Sequence, residues 1–281
     1  ELLQEHGYDA ARQVSLEMYR SVDEVGRVTS EEGIDAHYAK GGELEVARAP
    51  YDLPKLQKML DGFRAIGLED HYRLLDAGET RDRIAIANAL GSFHNREGAV
   101  VQPARLARGL ARAVERLGGT IYEQTPVARV TGNPAPSLVT QRGTVRAKTV
   151  VLAGEAYLSA IPGMERAIIP MTSHIVVTEP LGDELWLQIH WHERDVLGGW
   201  GVHGAYIQRT ADGRIALGPY RGNYPYRSRI TDALDRDESI FAHARLSLVD
   251  WFPMLRGVRT THAWGGVFGI PRDRMPRMTY D

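Results

Sequence analysis

The chain has 281 residues, a formal net charge of −2 and no cysteine. The missing cysteine excludes disulfides, thiolate catalysis and Cys-ligated metals, and the near-neutral charge gives no general reason to expect nucleic acid or an anionic membrane as partner. With 43% hydrophobic and 25% charged residues, no apolar run near the roughly 20 residues that cross a bilayer and no signal-peptide pattern over residues 1–6, a cytoplasmic protein with a substantial core is expected.

Leu2-Leu3-Gln4 reads as the middle of a helix, and the chain stops at Tyr280-Asp281 without a closing element. A piece of a longer protein, lacking sequence at both ends, is therefore expected. Asp9 can cap a helix that runs to residue 32, with Gly33 as its stop. Val14, Met18, Val22, Val25 and Thr29 fall at three- and four-residue spacings and predict its buried stripe. Strands are predicted over residues 36–38 and 44–48, joined across Gly41-Gly42. A second helix opens at Asp52 or Pro54 and ends near Gly67, with Leu56, Met59, Leu60, Phe63 and Ile66 turned inward. Pro103 opens a third helix whose predicted buried face is Leu106, Leu110, Ala113, Val114 and Leu117, and Gly118-Gly119 ends it.

Short strands are predicted over residues 120–123, 127–131, 137–141, 144–147 and 149–153, with turns at Asn133-Pro134 and Arg142-Gly143. Beyond Met171 the pattern is rich in strands. One covers residues 175–178, and residues 205–208 and 214–217 form a hairpin about Asp212-Gly213. A helix over residues 239–248 and a strand over 260–264 complete the chain. No internal repeat is visible. The alternation of both element types predicts a mixed α/β (α+β) enzyme fold with two domains that the chain visits alternately.

One motif is deceptive. Gly199-Trp200-Gly201-Val202-His203-Gly204 matches G-x-G-x-x-G. A dinucleotide loop needs a strand before it and a helix after it, whose free N–H groups face the pyrophosphate. Here Ala205-Tyr206-Ile207-Gln208-Arg209 follows, a strand pattern, and position 224 is Tyr rather than the acid that binds ribose. These glycines are expected to let backbone pass close to another surface.

A different constellation is more informative. Gly98-Ala99-Val100-Val101-Gln102-Pro103 leads into the third helix, which ends at Gly118-Gly119. Thr125-Pro126-Val127-Ala128-Arg129-Val130 follows, and after a hairpin comes Val150-Val151-Leu152-Ala153-Gly154-Glu155. This order resembles the D-amino-acid-oxidase-like family of FAD-dependent oxidoreductases, which includes glycine, sarcosine and γ-glutamylputrescine oxidases. Three later segments agree with the resemblance: residues 169–181, the hairpin over 206–218, and Thr261-His262-Ala263-Trp264-Gly265-Gly266 with Pro271-Arg272-Asp273-Arg274-Met275-Pro276.

The resemblance implies FAD as cofactor, with a partial Rossmann-like FAD-binding domain interleaved with an antiparallel, β-rich substrate domain. The implied partition is residues 1–35 as a helical part joined to the FAD domain, 36–97 and 171–258 as substrate domain, and 98–170 and 259–281 as FAD domain. Val127 is implied to contact adenine through its backbone, Ala153 and Gly154 to lie beside the adenosine and pyrophosphate, and Trp264 and Gly265 to lie near the flavin ring. The family's own opening G-x-G-x-x-G unit and its closing glycine-rich segment have no counterpart in the sequence.

The implied chemistry is oxidation of a C–N bond of an amine or amino acid by hydride transfer to flavin. The cofactor carries the difficult step, so no particular acid–base residue is required by the sequence. His203, Tyr206, Arg221, Tyr224 and Tyr226 are candidates for the substrate side, Arg221 because a guanidinium can pair with a carboxylate. His190-Trp191-His192 invites a metal reading, but no third ligand has an identifiable spacing, and no metal is expected. The alternative function is a non-catalytic module that keeps the substrate-domain fold without flavin. The sequence leaves the oligomeric state open.

Overall fold

The computed structural model describes residues 2–132 and 134–271. In chain order the elements are α1 (Leu2–Glu31), β1 (Glu43–Ala47), α2 (Leu53–Arg64), β2 (Tyr72–Asp76), α3 (Ala77–Arg83), β3 (Gly91–Asn95) and α4 (Pro103–Arg116). There follow β4 (Val127–Thr131), β5 (Ser137–Thr140), β6 (Gly143–Arg146), β7 (Ile169–Thr178), α5 (Asp183–Ile189), β8 (Val196–Gly199), β9 (Ala205–Arg209), β10 (Ile215–Pro219), α6 (Glu238–Trp251) and β11 (Thr260–Ile270). Both element types are mixed along the chain, as the sequence predicts.

The chain divides into two compact units, each visited more than once. The first comprises Glu1–Gly119, Ile175–Tyr220 and Phe241–Ala263; the second comprises Thr120–His174, Arg221–Ile240 and Trp264–Asp281.

The first unit is organised by a mixed sheet. The strands run in the order β2-β3-β1-β8-β9-β10-β7-β11, and β7 and β11 carry residues of both units. β1 is the pivot, antiparallel to β3 and parallel to β8. Successive side chains on a strand face opposite ways. Leu44 and Val46 therefore share one face, where they are fully buried with Leu197, Ile207 and Leu217. Phe241, Leu248, Trp251 and Phe252 of the α6 segment close that core, and Trp191 stacks on Phe252 at 6.0 Å between centroids. A second cluster joins α2 to β2 and β3 through Leu56, Tyr72 and Phe93, with Phe63 stacked on Tyr72 at 3.8 Å.

In the second unit, β4, β5 and β6 form an antiparallel meander. A 3₁₀ turn over Glu155–Ala160 follows it. The backbone N–H of Gly269 in β11 donates to the Glu155 carboxylate, so the end of β11 lies beside that turn. The loop after residue 220 is pinned to β7 by a reciprocal pair, Thr172 N–H to the Asn223 carbonyl at 2.9 Å and Asn223 N–H to Thr172 Oγ1 at 2.8 Å.

Several expectations need correction. Helix α1 starts at Leu2, not at Asp9, and passes a break at Gly7, whose φ is +82°. Its buried side is Ala11, partly Leu16 and Tyr19, and Thr29, whereas Val14 and Met18 are exposed. In α4 the buried residues are Gly109 and Ala113, and Leu110, Val114 and Leu117 are exposed. Ile34 packs on Gly109, where a Cβ would meet its Cγ2 at 2.2 Å. A three-residue periodicity finds a stripe but not the neighbour that covers it, and here the small residues of α4 take the contact. Residues 120–123 and 149–153 form no strand, because among the described residues no ladder partner reaches them. Residues 36–38 contribute only an adjoining bridge, Ala39 to Val100. The turn residue Asn133 and the stretch from Arg272 to Pro276 lie outside the described residues.

One ion pair ties the unit together. Asp195, fully buried just before β8, accepts from Arg83 Nε at 2.9 Å and Nη2 at 2.6 Å, and Arg83 Nη2 also donates to the Gly41 carbonyl at 3.3 Å. Burial pushes the Asp195 carboxyl up, with Arg83 opposing. Removing the guanidinium strands a buried carboxylate, which costs about 3 kcal/mol or more. Arg83→Met is therefore expected to lower unfolding stability by about that amount, measured by urea titration, and Asp195→Asn by less, because the arginine retains access to water.

Candidate functional site

The face of the first unit's sheet opposite α6 carries the polar residues. Glu43 and Glu45 alternate with buried Leu44 and Val46 along β1, so both carboxylates face that way. Across the sheet the register is Phe93, Glu45, Gly198, Tyr206, Gly218, one residue from each of five adjacent strands. Helix α2 covers the Phe93 end of this row.

The two glycines shape the row. Neither has a positive φ, so the backbone does not demand glycine at either position. A Cβ at Gly198 would lie 2.3 Å from Glu45 Oε1, and a Cβ at Gly218 would lie 1.9 Å from Tyr206 Cζ. The Glu45 carboxylate thus lies over Gly198, and the hydroxyl end of the Tyr206 ring lies over Gly218. Glycine inside a strand commonly marks a surface approached closely by backbone or ligand. Tyr220, just past β10, brings its ring to 5.9 Å from that of Tyr206.

Electrostatics single out Glu45. Partial burial, reinforced by the charge of Glu43, pushes its carboxyl up to about 7. Among the described residues Glu45 has no hydrogen-bond partner, while Glu43 Oε2 accepts from Asn95 Nδ2 at 3.2 Å. Burial, with Glu45 and Glu43 nearby, pushes the Tyr220 phenol up to about 12, so it stays protonated near neutrality.

The residues singled out in the sequence are distributed unevenly. Tyr206 is in the row. His203 is not: its ring stacks on His243 of α6 at 5.1 Å, its Nδ1 lies 3.3 Å from Ser247 Oγ, and its carbonyl accepts from Trp251 Nε1 at 2.8 Å. It serves the α6 side of the sheet, opposite Tyr206. Arg221, Tyr224 and Tyr226 lie in an exposed loop of the second unit, where Arg227 covers the Tyr226 ring at 5.4 Å. In that same unit Val127 begins β4, opposite Thr140 of β5. Ala153 is exposed and Gly154 precedes the 3₁₀ turn whose Glu155 holds β11. Gly265, four residues earlier on β11, packs on His174 and Asp235, where a Cβ would come within 2.9 Å of both, and its neighbour Trp264 is about half exposed. The second unit thus gathers Gly154 and β11 around Glu155, and Val127 belongs to its meander.

The G-x-G-x-x-G match is the turn of the β8–β9 hairpin. Its first glycine has a close neighbour, since a Cβ at Gly199 would meet Trp251 Cη2 at 2.7 Å. His190 ends α5 in a left-handed conformation and His192 is exposed in the loop beyond; no cluster of three metal-ligating side chains occurs among the described residues. No helix among those residues is long and apolar enough to cross a membrane.

Glu43, Glu45 and Tyr220 escape a search for familiar motifs. The signal that finds the two acids is the alternation Glu-Leu-Glu-Val in a strand, which puts both on one face of a segment whose other face is core, and Tyr220 follows from the parity it shares with Gly218.

Comparison with known proteins agrees with this architecture. Residues 2–281 match the DAO family, FAD dependent oxidoreductase, and the chain belongs to that family. It is 27% identical over 279 residues to gamma-glutamylputrescine oxidoreductase of Escherichia coli (strain K12), covering 97% of this chain and 62% of that protein. It is 29% identical over 140 residues to glycine oxidase of Bacillus licheniformis, covering 48% of this chain and 36% of that protein. The chain therefore spans about three fifths or less of these relatives. Among solved structures, glycine oxidase from Geobacillus kaustophilus superimposes with a TM-score of 0.78 at 17% identity, over 94% of this chain and 68% of the other. L-Proline dehydrogenase from P. horikoshii gives 0.77 at 17% identity, over 94% and 69%.

The family is one of FAD-dependent oxidoreductases. In the second unit Val151, Leu152 and Ala153 are exposed and Gly154 is partly buried. A pyrophosphate grip of the strand–glycine–helix kind is not found among the described residues.

The raised Glu45 carboxyl has a consequence for stability. Its pKa is about 7 in the fold against an ordinary 4.5. Between those values the folded chain holds a proton that the unfolded chain has lost, so stability falls as pH rises through the window. Glu45→Gln removes that term. Its stability relative to wild type is expected to rise from pH 4.5 to pH 7 and to level off above, by urea unfolding at a series of pH values.

Proposed function

We propose that the whole protein oxidises a C–N bond of an amine or amino acid, and that the open sheet face centred on Glu45 and Tyr206 receives the substrate. The observation that carries this reading is the row Glu45, Gly198, Tyr206, Gly218: two polar side chains seated over two glycines on the sheet face opposite the core. Its support is membership in an FAD-dependent family whose relatives include gamma-glutamylputrescine oxidoreductase and glycine oxidase.

FAD, when bound, takes the hydride from the carbon next to nitrogen. Val127, Ala153 and Gly154 would hold its adenosine end through backbone groups, and Trp264 and Gly265 would flank its ring. What remains for the protein is to hold the amine in register and to exclude water from the carbon that reacts. The nitrogen releases a proton as the carbon loses its hydride, which gives an imine; water then converts the imine to a carbonyl compound and ammonia or a smaller amine. Tyr206, stiffened by contact with Gly218, supplies a flat aromatic wall against which an alkyl amine can be oriented.

The test is made on the full-length protein with its native termini. It is expected to be yellow, with a flavin absorption band, and to turn over amines with either hydrogen peroxide formation or reduction of an artificial acceptor. Gly218→Ala places a methyl group where the Tyr206 ring lies, and is expected to raise the amine KM about tenfold, roughly 1.4 kcal/mol, with little change in Tm. A colourless full-length protein that takes up no FAD would overturn the reading in favour of a non-catalytic module.

A further inference from the structure

The proposed substrate face has a definite electrostatic character. Glu43 and Glu45 project from the same side of β1, and the charge acting on Glu45 is that second carboxylate. Two tyrosine rings, 5.9 Å apart, occupy the other end of the row. Gly198 separates the Glu45 and Tyr206 strands, which places their backbones about 10 Å apart, and the Glu45 carboxylate reaches over Gly198 toward the tyrosine end. An ammonium group is attracted both by a carboxylate and by the faces of aromatic rings. A substrate carboxylate would instead meet two like charges on a partly desolvated surface, where repulsion is screened less than in water.

Two observations make this more than a pair of surface acids. The backbone at Gly198 and Gly218 is of a kind that any residue adopts, yet a side chain at either would collide with Glu45 or Tyr206. The two glycines thus make room for the Glu45 carboxylate and the Tyr206 ring, and seat both against the sheet backbone. Glu45 is also held partly out of water without a hydrogen-bond partner among the described residues, an arrangement that costs stability and that a bound cation would relieve.

Resting on the reading of this face as the substrate site, we infer that the row selects amines carrying a positive nitrogen and no neighbouring carboxylate. Glu45 and Glu43 attract the ammonium, Tyr206 and Tyr220 flank its alkyl chain, and α-amino acids are disfavoured by their carboxylate. Glu45 is here a specificity-determining residue, and hydride transfer does not depend on it.

The experiment compares four substrates with the full-length, flavin-loaded protein at pH 8.5, above the raised value of the Glu45 carboxyl: n-butylamine, 1,4-diaminobutane, glycine and L-alanine. The expected wild-type order of kcat/KM places the two amines at least tenfold above the amino acids. Glu45→Gln is expected to raise the KM for the amines about tenfold, to leave kcat within twofold, and to leave or lower the KM for the amino acids. Gly198→Ala, which displaces the carboxylate without removing its charge, is expected to act in the same direction with a smaller effect. Calorimetric titration of the reduced, non-reacting enzyme with n-butylamine supplies a readout that does not depend on turnover, and the Glu45→Gln variant is expected to bind it about tenfold more weakly.

Amino acids preferred by the wild type, or an amine-to-amino-acid ratio unchanged in Glu45→Gln, would overturn this inference while leaving the amine-oxidising reading intact. Failure of the wild type to bind flavin or oxidise any of the four would instead remove the reading on which it rests.

Discussion

The two-residue period of β1 governs most of what the first unit does. Leu44 and Val46 must be buried, and they can be buried only under α6 and the segments around Trp191 and Phe252. That requirement fixes the strand's orientation and leaves Glu43 and Glu45 no choice of face. A slip of one residue would put two carboxylates into the apolar core and two aliphatic side chains onto the open face. The central position of β1, hydrogen-bonded on both edges, makes such a slip costly, since pairings with β3 and β8 would have to move together. Core and candidate site are therefore two consequences of one alternation.

The legibility of the sequence follows the same logic. Elements whose signal is local were readable: the β9–β10 hairpin about Asp212-Gly213, the start of α4 at Pro103, and the helix that became α6. Failure came where the answer depends on a distant neighbour. In α4 the apolar stripe through Leu110, Val114 and Leu117 looked like a core face, but Ile34 packs instead on Gly109. Residues 149–153 have the composition of a buried strand, and a strand exists only with a ladder beside it. Residues 72–95, which fold as β2, α3 and β3, carry weak periodicity, and their partner β1 is what orders them. The candidate site was half legible. Tyr206 is legible through the hairpin signal, whereas His203, in the turn three residues earlier, faces α6 on the other side of the sheet. Nothing in the immediate neighbours of Glu45 resembles a known motif; only its register against Gly198 and Tyr206 gives it meaning.

Glycine in this chain illustrates how one residue type carries different information. The literal G-x-G-x-x-G at Gly199 has the spelling of a nucleotide loop and the structure of a hairpin turn packed on Trp251. Gly198, immediately before it and outside the motif, and Gly218, on another strand, are the ones that shape the open face. The distinction is physical. A nucleotide loop needs glycine so that N–H groups at a helix terminus can reach a phosphate, and no helix follows Gly204. Gly198 and Gly218 need only to lack a Cβ, because a neighbouring side chain occupies that volume.

The cost of this arrangement argues for its use. Glu45 is partly desolvated beside a like charge, and both effects work against the folded state whenever it is ionised. A strand position of this kind would be more stable with threonine or valine, which fit a half-buried pleated surface and bury no charge. Departures from local stability rules tend to collect where a protein does its work. The contrast with Asp195 is instructive. That carboxylate is more deeply buried, yet Arg83 pairs with its Oδ1 through two donors, so it has a partner within the fold. Glu45 has no such partner among the described residues. A carboxylate without a hydrogen-bond partner among the described residues, beside a second acid and on a face that also carries two tyrosine rings, is a place that a cation arriving from outside would complete.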